Sequence, residues 1–111
     1  MTLLEKVKLN QGATFTKNLG ELITNFGYQV SIKDVLKVQS ESVNDESFEL
    51  ILRGVAETIE DGEYIGVWVD NGLLYVDVSW HITHYHTAVS LGRVKNQKAI
   101  WDWHTMKNIW L

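Results

Sequence analysis

The sequence predicts an α+β domain: a single antiparallel or mixed sheet with two helices packed on one face. Three observations predict it. Asn71-Gly72 stands between two alternating apolar runs, and Asn-Gly readily takes the pair of positive φ angles that a tight hairpin turn needs. Phe48, Ile51, Leu52, Val55, Ala56 and Ile59 recur at spacings of three and four, the period of one helix face. Elsewhere, short apolar runs alternate with Asn- and Gly-containing breaks, which reads as strands joined by turns.

In chain order, short strands are expected at Lys6 to Leu9, Ala13 to Thr16 and Tyr28 to Ile32, with turns at Asn10 to Gly12, Asn18 to Gly20 and Asn25 to Gly27. Val35 to Val38 reads either as a further strand or as a connection. Asn44 supplies an N-cap oxygen, and Asp45 and Glu46 place negative charge at the positive end of a helix dipole, so the first helix starts there and stops at Asp61-Gly62. Gly54 inside it either admits a close strand or is a tolerated weakness. The hairpin pairs Ile65 to Val69 with Leu73 to Val78. If Asp70 faces Leu73, then Val69 meets Leu74, Val67 meets Val76 and Ile65 meets Val78 on a core face. The reverse face carries Trp68 opposite Tyr75, Gly66 opposite Asp77 and Tyr64 opposite Ser79. Thr83 is expected to cap a second helix, His84 to Lys95, whose Ala88, Leu91 and Gly92 are small enough to pack closely, with Val89 and Val94 beside them and Asn96 as its left-handed stop. A strand Ala99 to Trp103, a turn His104 to Asn108 and a pairing strand Ile109 to Leu111 complete the chain.

The 111 residues suit one domain, 1-111, and contain neither a Pro- or Gly-rich linker nor a repeat. Ten Lys and Arg against 14 Asp and Glu, a formal charge of -4, argue against a dedicated nucleic-acid binder, because phosphate contacts demand a basic excess. Without Cys there is no disulfide, no thiolate zinc site and no thiol nucleophile, which fits a reducing cytoplasm. The charged pair Glu5-Lys6 breaks any apolar leader, and no run of about 18 apolar residues exists to cross a membrane. Five Trp, four Tyr and three Phe exceed what a core this small needs, so part of that surface is expected to bind something.

His81, His84, His86 and His104 are the only cluster of common metal-ligand types. His84 and His86 fall two residues apart on a helix, where side chains diverge by about 200°, so no metal and no cofactor is expected. Asp77, Ser79 and His81 carry the letters of a catalytic triad on one strand face. Consecutive same-face residues on one strand rarely adopt the triad geometry, in which another element orients the base. Nucleotide-binding loops and common metal motifs are missing. Trp101 and Trp103 share a strand face opposite Ile100, Asp102 and His104. They are core if they face a helix; if Ile100 does, they join Trp68 and Tyr75 on an aromatic surface.

Gly12-Ala13-Thr14, Leu19-Gly20-Glu21 and Gly27-Tyr28-Gln29-Val30-Ser31, followed by Tyr64 to Asp70, Leu74 to Ser79, Ala88, Leu91-Gly92-Arg93 and Asn96 to Asp102, resemble small proteins of bacteriophages, plasmids and other mobile elements. The resemblance runs from about residue 12 to residue 104. It departs where that group often carries acids before the second helix and this chain has His84, Tyr85 and His86. It implies an inhibitor of the anti-CRISPR or anti-restriction type, working in the host cytoplasm. The expected function is a non-catalytic protein-binding module that occludes a host defence complex, with Trp68, Tyr75 and Asp77 at its centre and Trp101 and Trp103 beside them. The acids Glu41, Asp45, Glu46 and Glu49 either cap the first helix or compete for a basic groove. Two rivals are a nucleic-acid accessory protein using Arg93, Lys95, Lys98 and Lys107 with the aromatics, and a small hydrolase or metal enzyme at His81, His84 and His86.

Overall fold

A computed structural model describes all 111 residues. The first element corrects an expectation: Lys6 to Leu9 is not a strand but lies in helix α1, Leu3–Asn10. Thr2 caps it by accepting from the Glu5 N–H at 3.2 Å, and Gln11 ends it in the left-handed region at φ 63°. The run Lys6-Val7-Lys8-Leu9 alternates like a strand, but the residues that decide are Leu4 and Val7, three apart and both buried. Strand β1, Gly12–Phe15, follows, and then β2, Tyr28–Gln39. Val35 to Val38 belongs to β2, which reads as broken because two register shifts, one between Ser31 and Lys33 and one between Asp34 and Leu36, disturb its alternation.

Helix α2, Asp45–Ala56, starts with a reciprocal cap. Ser47 N–H donates to Asn44 Oδ1 at 2.8 Å, and Asn44 N–H donates to Ser47 Oγ at 2.9 Å. Its expected stripe buries Phe48, Leu52, Val55 and Ala56, but the helix stops before Asp61-Gly62, and Ile59 enters the core from the turn beyond it. No atom from beyond its own helix lies within 4 Å of the position a Gly54 Cβ would take, so that glycine admits no strand and is the tolerated weakness. Strands β3, Tyr64–Asp70, and β4, Leu73–Ile82, form the hairpin; helix α3, Tyr85–Val94, and strands β5, Ala99–Asp102, and β6, Lys107–Trp110, finish the chain. Three expectations shift here. The cap of α3 is His84, with no side-chain hydrogen bond, rather than Thr83; Trp103 lies beyond β5; and β6 begins at Lys107 because the turn closes on Met106 at φ 57°.

The six strands make one sheet in the order β1-β3-β4-β2-β5-β6, every pair antiparallel, so the fold is α+β with an antiparallel sheet. Leu4 and Val7 of α1 and the stripe of α2 pack with Phe15, Ile65, Val67, Leu74, Val76 and Val78 in the larger core. A smaller cluster joins Ala88 of α3 to Val30 and Ile100. Gly92 lets α3 come down on it: a Cβ there would sit 2.6 Å from Leu111 Cδ1 and 2.9 Å from Ile100 Cγ2. No helix is long and apolar enough to cross a membrane.

The hairpin has the expected register throughout, from Asp70 opposite Leu73 to Tyr64 opposite Ser79, and Asn71 and Gly72 take φ 51° and 75°. The two strands therefore direct Val67, Leu74 and Val76 into the core while Trp68 and Tyr75 stand on the other side. Gly72→Val is expected to lower stability by more than about 1 kcal/mol, because a β-branched residue resists positive φ. An unchanged melting temperature would contradict the turn.

Candidate functional site

On the side of the hairpin away from the larger core, cross-strand pairing lines up Gly12, Trp68, Tyr75 and Lys37 in one row over β1, β3, β4 and β2. Trp68 and Tyr75 stack with ring centroids 4.2 Å apart and planes at 14°. The Lys37 ammonium lies 5.7 Å from the Tyr75 centroid, so Tyr75 is held between an indole and a cation. Trp68 is 44% exposed although one of its faces is covered, which makes this pair an open aromatic ledge on a rigid hairpin.

The neighbouring row is Thr14, Gly66, Asp77 and Asp34. Gly66 leaves room for the carboxylate, since a Cβ there would collide with Asp77 Oδ1. Asp77 is only 8% exposed, so it is not the surface contact expected from the sequence. Burial, reinforced by the Asp34 carboxylate opposite, pushes its carboxyl up to about 7. The nearby Ser31 hydroxyl pulls weakly the other way, but its oxygen is buried and makes no hydrogen bond of proper geometry.

Further along β4, Ser79 and His81 face Ser31 and Gln29. Gln29 organises this end. Its amide nitrogen donates to Ser79 Oγ at 3.0 Å, and its carbonyl oxygen accepts from Trp103 Nε1 at 3.0 Å and contacts His81 Nδ1 at 3.3 Å. An amide oxygen only accepts, so the proton of His81 sits on Nδ1, and Nε2 is left as a bare lone pair, buried without a partner. Burial lowers the imidazole's pKa. The ring lies edge-on to Phe26, and Gly27, at φ 78°, makes room for it: a Cβ there would sit 2.6 Å from Nε2. Asp77, Ser79 and His81 do share a strand face, as alternation requires, yet no hydrogen bond joins them because Gln29 stands between the serine and the histidine.

Ile100 is buried against α3, the condition under which Trp101 and Trp103 were expected to be open. That expectation needs correcting for Trp103, which its bond to Gln29 holds at 7% exposure. Trp101 is half-buried and meets Trp103 edge to face at 6.2 Å. This pair adjoins Gln29, whereas the ledge adjoins Lys37. Gln29 and Lys37 pair with His81 and Tyr75, six residues apart on β4 and about 20 Å at strand rise, which makes two separate aromatic groups rather than one surface.

His84, His86 and His104 are exposed and apart from His81, and no three His, Cys, Asp or Glu side chains are grouped to hold a metal ion. Arg93, Lys95, Lys98 and Lys107 are all exposed, at the α3, β5 and β6 end of the sheet. Glu41, Asp45, Glu46 and Glu49 are exposed around the start of α2, and Glu49 pairs with Arg53 at 3.0 Å. Sequence reading missed Gly12, Asp34, Lys37 and Gln29 as parts of the site. Gln29 meets partners 50 to 74 residues away, and only strand pairing could have found them.

Comparison with protein-family models, with curated proteins and with solved structures finds no match to this chain.

Proposed function

We propose that the protein is a non-catalytic binding module that docks on another protein through the Trp68–Tyr75 ledge. One observation carries this reading: an exposed Trp68 is stacked on a half-buried Tyr75 on a hairpin whose opposite face is core. Indole and phenol rings prepositioned by stacking lose little conformational freedom on binding, which is why Trp and Tyr dominate interface hot spots. In this reading the helices share the apolar side of the sheet and leave the ledge free for a partner. The formal charge of -4 suits a target with a basic surface, such as the nucleic-acid groove of a nuclease. The specific form is a phage or mobile-element inhibitor, of the anti-CRISPR or anti-restriction type, that occludes a host defence complex in the host cytoplasm.

The nucleic-acid alternative is weaker because Arg93, Lys95, Lys98 and Lys107 lie at the far end of the sheet from the ledge, where Lys37 is the cation beside the stacked rings. Capture from a bacterial lysate, with wild type and the Trp68→Ala, Tyr75→Ala variant side by side, tests the reading. A stoichiometric protein held by wild type is expected to be lost by the variant, whose affinity should fall by several kcal/mol while its melting stays cooperative. A folded variant that retains the same partner undiminished removes the ledge from the binding surface. Retention of nucleic acid instead of protein favours the alternative.

A further inference from the structure

The ledge is closed on one side and open on the other. Tyr75 covers one face of Trp68, and Lys37 closes the stack behind it. On the other side the cross-strand neighbour is Gly12, which has no side chain to lay on the indole, and Trp68 as a whole is 44% exposed. Asp70 is two residues along β3 and therefore on the same side of the strand, about 7 Å away at strand rise. It is exposed and makes no ion pair; the two ion pairs of the molecule are Lys6 with Glu21 and Glu49 with Arg53. Helix α1 ends at Asn10, two residues before Gly12, and brings the negative end of its dipole close along the chain, partly offset by Lys8 in its last turn.

The geometry points to a slot over Gly12, between Trp68 and Asp70, that receives the guanidinium of an arginine side chain on the partner protein. A guanidinium is planar, weakly hydrated and permanently charged. It can stack on the indole face and still present N–H groups edge-on to a carboxylate, which an ammonium cannot do. A nucleobase could use the same indole face, but its phosphate would meet Asp70 and a chain of charge -4, while Lys37 lies on the far side of Tyr75 from the indole. The inference rests on the ledge being the docking surface and names the group that it reads.

Acetyl-Gly-Arg-Gly-amide, its lysine counterpart and adenosine monophosphate can each be titrated against the intact protein, following the indole N–H resonance of Trp68 by NMR. The arginine peptide is expected to shift that resonance saturably and to bind at least about fivefold more tightly than the lysine peptide. Asp70→Asn, a surface change that leaves the strand intact, should weaken it by about threefold. Gly12→Thr should abolish the shift by filling the slot. If Gly12→Thr loses its cooperative melt, the Asp70→Asn comparison decides alone. No saturable shift, an equal response to lysine, tighter binding of the nucleotide, or indifference to Asp70→Asn would each overturn the slot. A null titration alongside lost protein capture by the Trp68→Ala, Tyr75→Ala variant would overturn the slot while leaving the ledge as the docking surface.

Discussion

Replacing Asp77 with asparagine is expected to stabilise the protein above pH 7 and to remove most of the dependence of its stability on pH between 4 and 7. The carboxyl is 8% exposed, lies over Gly66 and faces Asp34 across the strands; burial first, and then the Asp34 charge, raise it from the ordinary 3.8 to about 7. Below pH 4 the residue is protonated in both folded and unfolded chains and adds no pH dependence. Between 4 and 7 the unfolded chain has released its proton while the folded chain retains it, so each rise in pH favours unfolding. Above 7 both states are ionised and the loss is complete, at a ceiling of roughly 4 kcal/mol from about three pH units of difference. Asparagine has nearly the shape of the protonated acid and no charge to desolvate. Urea titrations at pH 5 and pH 8 should show wild type losing stability across the interval and the variant losing none, because the buried His81 imidazole, whose pKa burial lowers, works in the opposite direction. A variant less stable than wild type at pH 8 would mean that the ionised carboxylate is satisfied by a favourable contact and that burial does not dominate its energetics.

The second large effect separates the two faces of the hairpin. Val67 is 2% exposed, pairs with Ala13 and Val76, and belongs to the cluster that α1 and α2 cover. Val67→Asp puts a charge there with no cation to meet it, at a cost of more than about 4 kcal/mol, comparable with the whole stability of a small domain. Circular dichroism should show no cooperative melt at pH 8. One residue on, Trp68 points the other way, and the Trp68→Ala, Tyr75→Ala variant should still melt cooperatively, since truncating an exposed ring leaves no sealed cavity. Unfolding of both variants would place the aromatic pair in the core, and a folded Val67→Asp would contradict the burial on which the strand register rests.

Where a feature is coded by nearest neighbours along the chain, this sequence determines it by itself. The Asn71-Gly72 turn admits one register, so the pairing of Trp68 with Tyr75 and the inward direction of Val67 and Val76 are legible in the sequence. The Asn44 cap and the three-and-four spacing of Phe48, Leu52 and Val55 likewise define α2. Local code misleads where two periods compete over a short stretch. In Lys6-Val7-Lys8-Leu9 the alternation is real, but Leu4 and Val7 gain more by packing as a helix against α2 and the sheet.

Tertiary structure alone decided the order β1-β3-β4-β2-β5-β6, in which β2 sits next to β4 although α2 and β3 separate them in the chain. From that order follow the placement of Lys37 against Tyr75, of Asp34 against Asp77, and of Gln29 among Ser79, His81 and Trp103. It turned Asp77 and Trp103 from expected contacts into buried groups, and it left Trp68 open over Gly12. The physical reason is the range of the interaction. Turn and helix propensities act over a few residues, whereas the burial of a carboxyl and the exposure of an indole are set by whichever distant strands the hydrophobic core brings alongside.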